Sequence, residues 1–233
     1  MALRMVTVVG ARPQFVKVAA VGRAIKHWNE ENTTDKIVDY LVHTGQHFDD
    51  NMSGVFFRQL EIPEPAYHLG ISGTSHGVMT GRMLEAIEPV LMEVRPDWVL
   101  VYGDTNSTLA AALAAIKLHT PVAHVEAGLR SFNMRMPEEV NRIVADSVSP
   151  LLLCPTETAV ENLHREGYSS GVHNVGDVML DASLHMQAIA ERSLTSSKGW
   201  RLVRASSSWR PATERKTRTT PPGCERFLTR WRR

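Results

Sequence analysis

The 233-residue chain predicts a parallel, doubly wound α/β fold. Three observations carry that expectation. Short apolar, β-branched runs recur along the first 190 residues, amphipathic helical stripes stand between them, and no hairpin signal joins one run to the next. Strands separated by helical crossovers lie parallel, and chemistry in such sheets gathers outside the carboxyl ends of the strands.

The elements follow in order. Residues 5–9 are an apolar run closed by Gly10. Pro13 suits the first turn of a helix, where a missing N–H costs nothing, and Phe15, Val16, Ala19, Ala20 and Ile25 stripe that helix to about Trp28. Residues 36–43 read as a second strand with Thr44-Gly45-Gln46 as its exit. Residues 50–60 read as a helix that stops before Pro63. The periodicity of Val78, Met79, Met83, Ile87 and Val90-Leu91 predicts a helix over 76–94. Strand 98–102 ends at Gly103, and an alanine-rich helix covers 105–118. Strands are expected at 122–125, 151–154 and 172–175, with helices at 137–148, 156–166 and 177–192.

Composition narrows the class. The chain is 43% apolar and 22% charged with a net charge of +1, which excludes a disordered polyelectrolyte, a collagen and a disulfide-stapled miniprotein. Two cysteines, Cys154 and Cys224, fit a reducing cytoplasm, and no apolar run reaches the roughly 20 residues of a membrane helix. The N-terminus shows no signal-peptide pattern, so the expected location is cytoplasmic. The charge is unevenly spread. Residues 194–233 carry 11 Lys and Arg against 2 Asp and Glu, whereas residues 1–193 sum to −8.

Candidate chemistry lies in the loops after the strands. Gly10-Ala11-Arg12-Pro13 precedes Lys17 by one helical turn, so Arg12 and Lys17 flank a helix N-terminus that attracts anions. The pair reads as a phosphate site or as solvated surface charge; no G-x-G-x-x-G dinucleotide fingerprint is present. Asp104, after strand 98–102, reads as an acid or as a helix cap. Glu126 ends a buried strand, where a carboxylate without a partner is rare. Glu138 and Glu139 follow Pro137 and suit a first helical turn, so at least one of them has a structural role. Asp104, Glu126 and Glu138 reach one sheet edge beside Arg12 and Lys17. Crowded carboxylates shift one another's proton affinity and serve as general acid and base. The set points to proton abstraction next to a phosphate ester. His43 and His47, with Asp49 and Asp50, make only a weak metal motif, and Cys154 reads as a buried, inert thiol.

These loops closely resemble the non-hydrolysing UDP-N-acetylglucosamine 2-epimerase family. The matching segments are G-A-R-P-Q-F-V-K (10–17), H-T-G-Q-H (43–47), V-Y-G-D-T-N-S-T (101–108), H-V-E-A-G-L-R (124–130), M-P-E-E-V-N-R (136–142), C-P-T-E-T-A-x-x-N-L (154–163) and V-G-D-V-M-L-D (175–181). The resemblance implies the Rossmann-like N-terminal half, residues 1–192, of a two-domain glycosyltransferase-B type fold. It implies removal of the C2 proton and UDP from a UDP-2-acetamido sugar, giving a 2-acetamidoglucal, then re-addition with C2 inverted. Asp104, Glu126 and Glu138 would be the acid/base carboxylates, and Arg12, Lys17, Gln46, His47 and Arg142 would bind substrate. No redox cofactor or metal is implied. The partner would be the UDP-sugar, with no nucleic acid or membrane, and full-length members would be homodimers. The UDP grip and a catalytic histidine would lie mainly in the second domain. Gln46-His47-Phe48-Asp49-Asp50-Asn51-Met52 departs from the Q-H-R-x-M of members with an allosteric site. R-S-F-N-x-R-M-P-E-E (130–139) is similar to relatives acting on UDP-2,3-diacetamido sugars.

After about residue 194 the resemblance stops, and residues 193–233 read as a basic, disordered tail. Joining the third base of each codon to the first two of the next, with synonymous codons chosen freely, converts 205–221 into E-F-V-L-A-T-G-H-R-A-E-N-T-D-D-P. That string is a strand followed by the x-H-R-x-E-N loop that opens the family's second domain. The expectation is a frameshift between residues 191 and 204 and a chain that is inactive alone. A nucleic-acid-binding tail is the alternative. For the enzyme, the alternatives are a hydrolysing 2-epimerase, a non-catalytic nucleotide-sugar binder and, on fold analogy, a glycosyltransferase.

Overall fold

The computed structural model describes residues 2–46, 57, 60 and 62–196. His47, most of the helix expected over 50–60 and residues 197–233 of the basic tail lie outside those residues, whereas residues 193–196, expected as the start of a disordered tail, continue the last helix. The chain divides into two units, Met1–Ala182 and Ser183–Arg233; the elements below belong to the first, apart from the portion of the last helix beyond Ala182.

Seven strands and six helices alternate among the described residues: β1 Leu3–Val9, α1 Arg12–Glu31, β2 Ile37–His43, β3 Tyr67–His68, α2 His76–Val94, β4 Trp98–Tyr102, α3 Asn106–Lys117, β5 Val122–Val125, α4 Pro137–Val148, β6 Leu151–Cys154, α5 Glu157–Arg165, β7 Val172–Asn174 and α6 Val178–Ser196. All strand pairs are parallel, in the order β3-β2-β1-β4-β5-β6-β7. The order reverses between β1 and β4, and that switch point opens a crevice at the carboxyl ends of the strands. The Rossmann-like doubly wound sheet expected from alternation is therefore the fold observed. β3 is the one strand not expected. It has only two residues, paired to Val42 and His43 on β2, and is too short to show a period of its own.

The helices begin and end where local chemistry dictates. Pro13 and Pro137 occupy the first turns of α1 and α4, and the hydroxyls of Thr105 and Thr156 cap α3 and α5 by accepting from Thr108 N and Ala159 N, both at 3.2 Å. One sheet face presents Val6, Val8, Val42, Val99 and Val101 to α2 and α3. The alanines at 110–112 and 114–115 let α3 lie close against Met83 and Ile87 of α2. A smaller cluster of Ala127, Leu152, Cys154, Ala159 and Leu163 seats α5. Gly128 makes that approach possible: it has φ +77°, and a Cβ there would sit 2.3 Å from the Ala159 carbonyl oxygen. Cys154 is buried as expected, and burial pushes its thiol up to about 12, so it is inert at neutral pH.

Polar groups interrupt the opposite face. Asp39 on β2 stands beside Thr7 on β1 and Tyr102 on β4. Burial raises its carboxyl to about 7, with the Thr7 hydroxyl acting the other way. Tyr102 is pushed well above its ordinary value by burial and by Asp39. The folded state thus keeps a proton that the unfolded chain, at 3.8, has lost. Through this group stability is highest below about pH 4 and declines toward pH 7, by up to about 1.4 kcal/mol per pH unit. Asp39→Asn removes that slope. Chemical denaturation across this pH range will show the variant gaining on the wild type as pH rises.

Candidate active site

The switch-point crevice is held by one side chain. Gln14, fully buried on α1, accepts from Gly10 N (2.8 Å) and Ala11 N (3.1 Å), and donates to the Tyr102 carbonyl (2.9 Å), Thr105 Oγ1 (3.0 Å) and Thr108 Oγ1 (3.1 Å). It ties the exit of β1 to the exit of β4. Sequence reasoning passed over Gln14, although an amide at the third helical position is a recognisable reach-back to the helix entry. Gly10 allows the strands to converge. A Cβ there would lie 2.1 Å from Thr44 Oγ1 and 2.3 Å from Ser107 Oγ, two hydroxyls that bond each other at 2.8 Å. Ser107 also donates to Gln46 Oε1 at 2.9 Å, which brings the β2 exit to the same crevice.

Lys17, one turn into α1, is buried and forms an ion pair with Glu126. The reading of Lys17 as solvated surface charge is thereby corrected: helix α1 points it inward across β1 to the end of β5. Arg12 stands exposed at the start of α1. Glu126 takes φ +69°, rare for a side chain with a Cβ, while its N–H donates to the Leu153 carbonyl at 3.0 Å. Strain of that kind, on the order of 1 kcal/mol, recurs where a side chain must be aimed. Gly103, also left-handed, faces the pair closely: a Cβ there would lie 3.2 Å from Lys17 Nζ and 3.3 Å from Glu126 Oε2.

Asp104 forms an ion pair with Arg142 of α4, and its carbonyl accepts from Asn141 Nδ2 at 2.9 Å. The capping role considered for Asp104 belongs to Thr105. Arg142 also donates to Glu139 Oε2 at 2.6 Å. Burial opposes the Arg142 charge, but Asp104 and Glu139 outweigh it and raise its proton affinity. Of the two glutamates at the head of α4, Glu139 is the structural one. It is buried and accepts from Ser131 N (3.0 Å), Ser131 Oγ (2.9 Å) and Phe132 N (2.8 Å), which pins the 126–136 loop. Burial disfavours its charge, but these donors and Arg142 hold its carboxyl below the usual range. Glu138 is exposed beside it. Of the three expected acids, Glu126 pairs with Lys17, Asp104 pairs with Arg142, and Glu138 is exposed.

A second buried chain supports the same loops. His124 Nδ1 meets Asp146 Oδ1 and His124 Nε2 meets the Gly103 carbonyl, both at 2.7 Å. Asp146 Oδ2 accepts from Gly128 N (3.1 Å) and Arg130 Nη1 (2.7 Å), and Arg130 makes a fork to Glu166 at 2.6 and 2.7 Å. Burial works against the Asp146 charge, but His124 and Arg130 hold the carboxyl below its ordinary value. This network was also missed from sequence, because its bonded partners are 16 to 36 residues apart and none is unusual alone. A cleft of about 720 Å³ between α1, β2 and residues 62–66 lies elsewhere, and none of the described site residues lines it.

The architecture is thus a Rossmann-like domain whose strand-end loops present paired acids and bases. The family model described as UDP-N-acetylglucosamine 2-epimerase matches residues 29–207, running past the break in composition at residue 194. The chain belongs to the UDP-N-acetylglucosamine 2-epimerase family. It is 55% identical over 206 residues to the UDP-2,3-diacetamido-2,3-dideoxy-D-glucuronate 2-epimerase of Pseudomonas aeruginosa, covering 86% of this chain and 56% of the relative. A crystal structure of the Methanocaldococcus jannaschii UDP-GlcNAc 2-epimerase with UDP-GlcNAc and UDP superposes with a TM-score of 0.74 at 43% identity, covering 84% of this chain and 53% of the other. The Neisseria meningitidis UDP-GlcNAc 2-epimerase bound to UDP-GlcNAc gives 0.71 at 33% identity, with the same coverage. The chain spans about half the length of these relatives. A galactosyltransferase of lipopolysaccharide outer core, 12% identical with a TM-score of 0.51, shares the fold alone. No helix of the described residues is long and apolar enough to cross a membrane.

Replacing Gln14 by Leu strands the Gly10 and Ala11 N–H groups at the β1 exit, while the Tyr102 carbonyl keeps the Thr108 hydroxyl at 2.6 Å. Each buried group left unpaired costs about 1–3 kcal/mol. We expect the Gln14→Leu chain to lose at least about 2 kcal/mol in urea unfolding, with the far-UV spectrum of any folded fraction unchanged.

Proposed function

We propose that this chain forms one wall of a UDP-sugar 2-epimerase active site. The observation that carries the reading is the pairing of Lys17 with Glu126 and of Arg142 with Asp104 at one sheet edge. The C2 proton of a UDP-2-acetamido sugar is weakly acidic. Its removal needs a positioned carboxylate and a leaving group stabilised in the same event. Asp104, Glu126 and Glu138 supply the acid/base groups. Arg12, Lys17, Gln46, His47 and Arg142 bind substrate, with the cations at the nucleotide-facing end of α1 matching the charge of a diphosphate. The base takes the C2 proton, the C1–O bond breaks, and UDP departs with the electron pair, leaving a 2-acetamidoglucal. UDP then adds back at C1 while a proton reaches C2 from the opposite face. The substrate is a UDP-2-acetamido sugar. The Pseudomonas relative's name favours a 2,3-diacetamido uronate over UDP-GlcNAc.

Residues 193–233 are, in this reading, an out-of-frame stretch following the N-terminal domain at 1–192. Sequencing the source locus through codon 233 and beyond tests it: a shifted frame continuing for roughly another 150 residues, the size of a domain, supports the frameshift, and a closed frame overturns it.

One wall cannot exclude water from the glycal or hold UDP for re-addition. The purified 233-residue chain should therefore show little or no epimerisation, and measurable turnover would overturn that expectation. In the version restored to the shifted frame, incubation with substrate in D2O should place deuterium at C2. Asp104→Asn, Glu126→Gln and Glu138→Gln should each slow that exchange by at least about 100-fold. Exchange at the wild-type rate in any variant removes that residue from the acid/base set.

A further inference from the structure

Three helices begin around Asp104, and a short relay of amides joins them. Asn141, early in α4, and Asn106, the first residue of α3, are both buried. His76, the first residue of α2, is exposed. A backbone carbonyl can only accept, so the Asp104 carbonyl fixes which end of the Asn141 amide faces it: Nδ2 donates there at 2.9 Å. The second proton of Asn141 Nδ2 goes to Asn106 Oδ1 at 3.2 Å. With its oxygen thus engaged, Asn106 turns its NH2 toward His76, where Nδ2 lies 3.2 Å from Nδ1, closer than Oδ1 at 3.5 Å. The same NH2 approaches Met79 Sδ at 3.6 Å. His76 Nδ1 is therefore an acceptor, and the proton of the neutral ring sits on Nε2.

We propose that His76 is a specificity-determining residue: a solvent-facing Nε2–H donor, set by the Asn141–Asn106 relay, that binds a carbonyl or carboxylate oxygen on the substrate sugar away from C2. This rests on the reading of Asp104 as part of the sugar site. The relay starts at the carbonyl of Asp104 itself, so the donor's tautomer is coupled to the loop that carries the acid. The oxygen has two sources, a 3-acetamido carbonyl or a 6-carboxylate. The name of the 55%-identical Pseudomonas relative specifies both on one sugar. A ring whose donor is fixed in advance discriminates for such an oxygen, because a sugar without it leaves the N–H to water.

The test has a ligand-free part and a ligand part, both on the 233-residue chain. A long-range proton–nitrogen correlation spectrum of the 15N-labelled chain in mildly alkaline buffer, with His76 assigned by its loss in His76→Ala, should show Nδ1 bare and Nε2 protonated. Asn106→Ala should erase that bias. A ring protonated on Nδ1 overturns the proposal. The chain is then titrated by NMR, which reads weak binding, with UDP-GlcNAc, with the UDP-GlcNAc uronic acid and with UDP-2,3-diacetamido-2,3-dideoxy-glucuronic acid. His76→Ala should weaken only the sugars carrying the contacted oxygen, by about three- to tenfold for an acetamido carbonyl and by about tenfold or more for a carboxylate. His76→Gln, which keeps a donor near the Nε2 position, should recover part of the loss. Loss for the uronic acid assigns the contact to the 6-carboxylate; loss for the diacetamido sugar alone assigns it to the 3-acetamido group. Equal binding of all three sugars by wild type and His76→Ala overturns the inference and leaves the functional reading standing. No binding of any of them by the wild type overturns the inference, while the functional reading is judged separately by C2 exchange in the version restored to the shifted frame.

Discussion

Everything at the crevice depends on how closely β1 and β4 approach the loops at their carboxyl ends. Gly10 has no side chain, and so Thr44, Ser107 and Gln46 meet where a Cβ would otherwise stand. Gln14 then bridges the two strand exits with four hydrogen bonds shielded from water and a fifth, to Thr105, that is partly so. Shielded bonds of this kind rigidify when fully satisfied and are costly when half made. The two features act together. Glycine allows the approach, and the amide holds it, so that Lys17 and Asp104 project from fixed stems.

The charges placed on that frame are compensated one by one. Lys17 answers Glu126, Arg142 answers Asp104 and Glu139, and Arg130 answers Asp146 and Glu166. A buried charge is tolerated when its partner and its remaining hydrogen bonds are in place. Within this pattern Glu126 and Glu139 differ in kind. Glu139 has its oxygens saturated by backbone and side-chain donors, whereas Glu126 meets one cation and sits in a strained backbone conformation. Saturation suits a structural post. Glu126 is held at the crevice by an ion pair to buried Lys17.

Much of this was readable in advance. Helices α2 and α4 and strands β4, β5 and β6 fall on the expected residues, because each is bounded by a proline, a glycine or a sharp change of period. The Asp104, Glu126, Arg12 and Lys17 loops were placed on one sheet edge by alternation alone, since parallel strands must all end on the same side. Partners were not readable. Nothing in the spacing of Arg142 from Asp104, 38 residues apart, announces an ion pair, and nothing in a lone Gln14 announces a bridge between strands.

The sequence by itself determined the order of elements, the doubly wound class and the edge where the chemistry gathers. Period, glycine and proline act through local backbone sterics and need no distant contact. Only the tertiary structure decided that Lys17 points inward to Glu126, that Thr105 rather than Asp104 caps α3, that Glu139 and not Glu138 is the structural acid, and that His76 is wired through two asparagines to the Asp104 loop. Those choices depend on which side chains share a desolvated space, and strand order sets that.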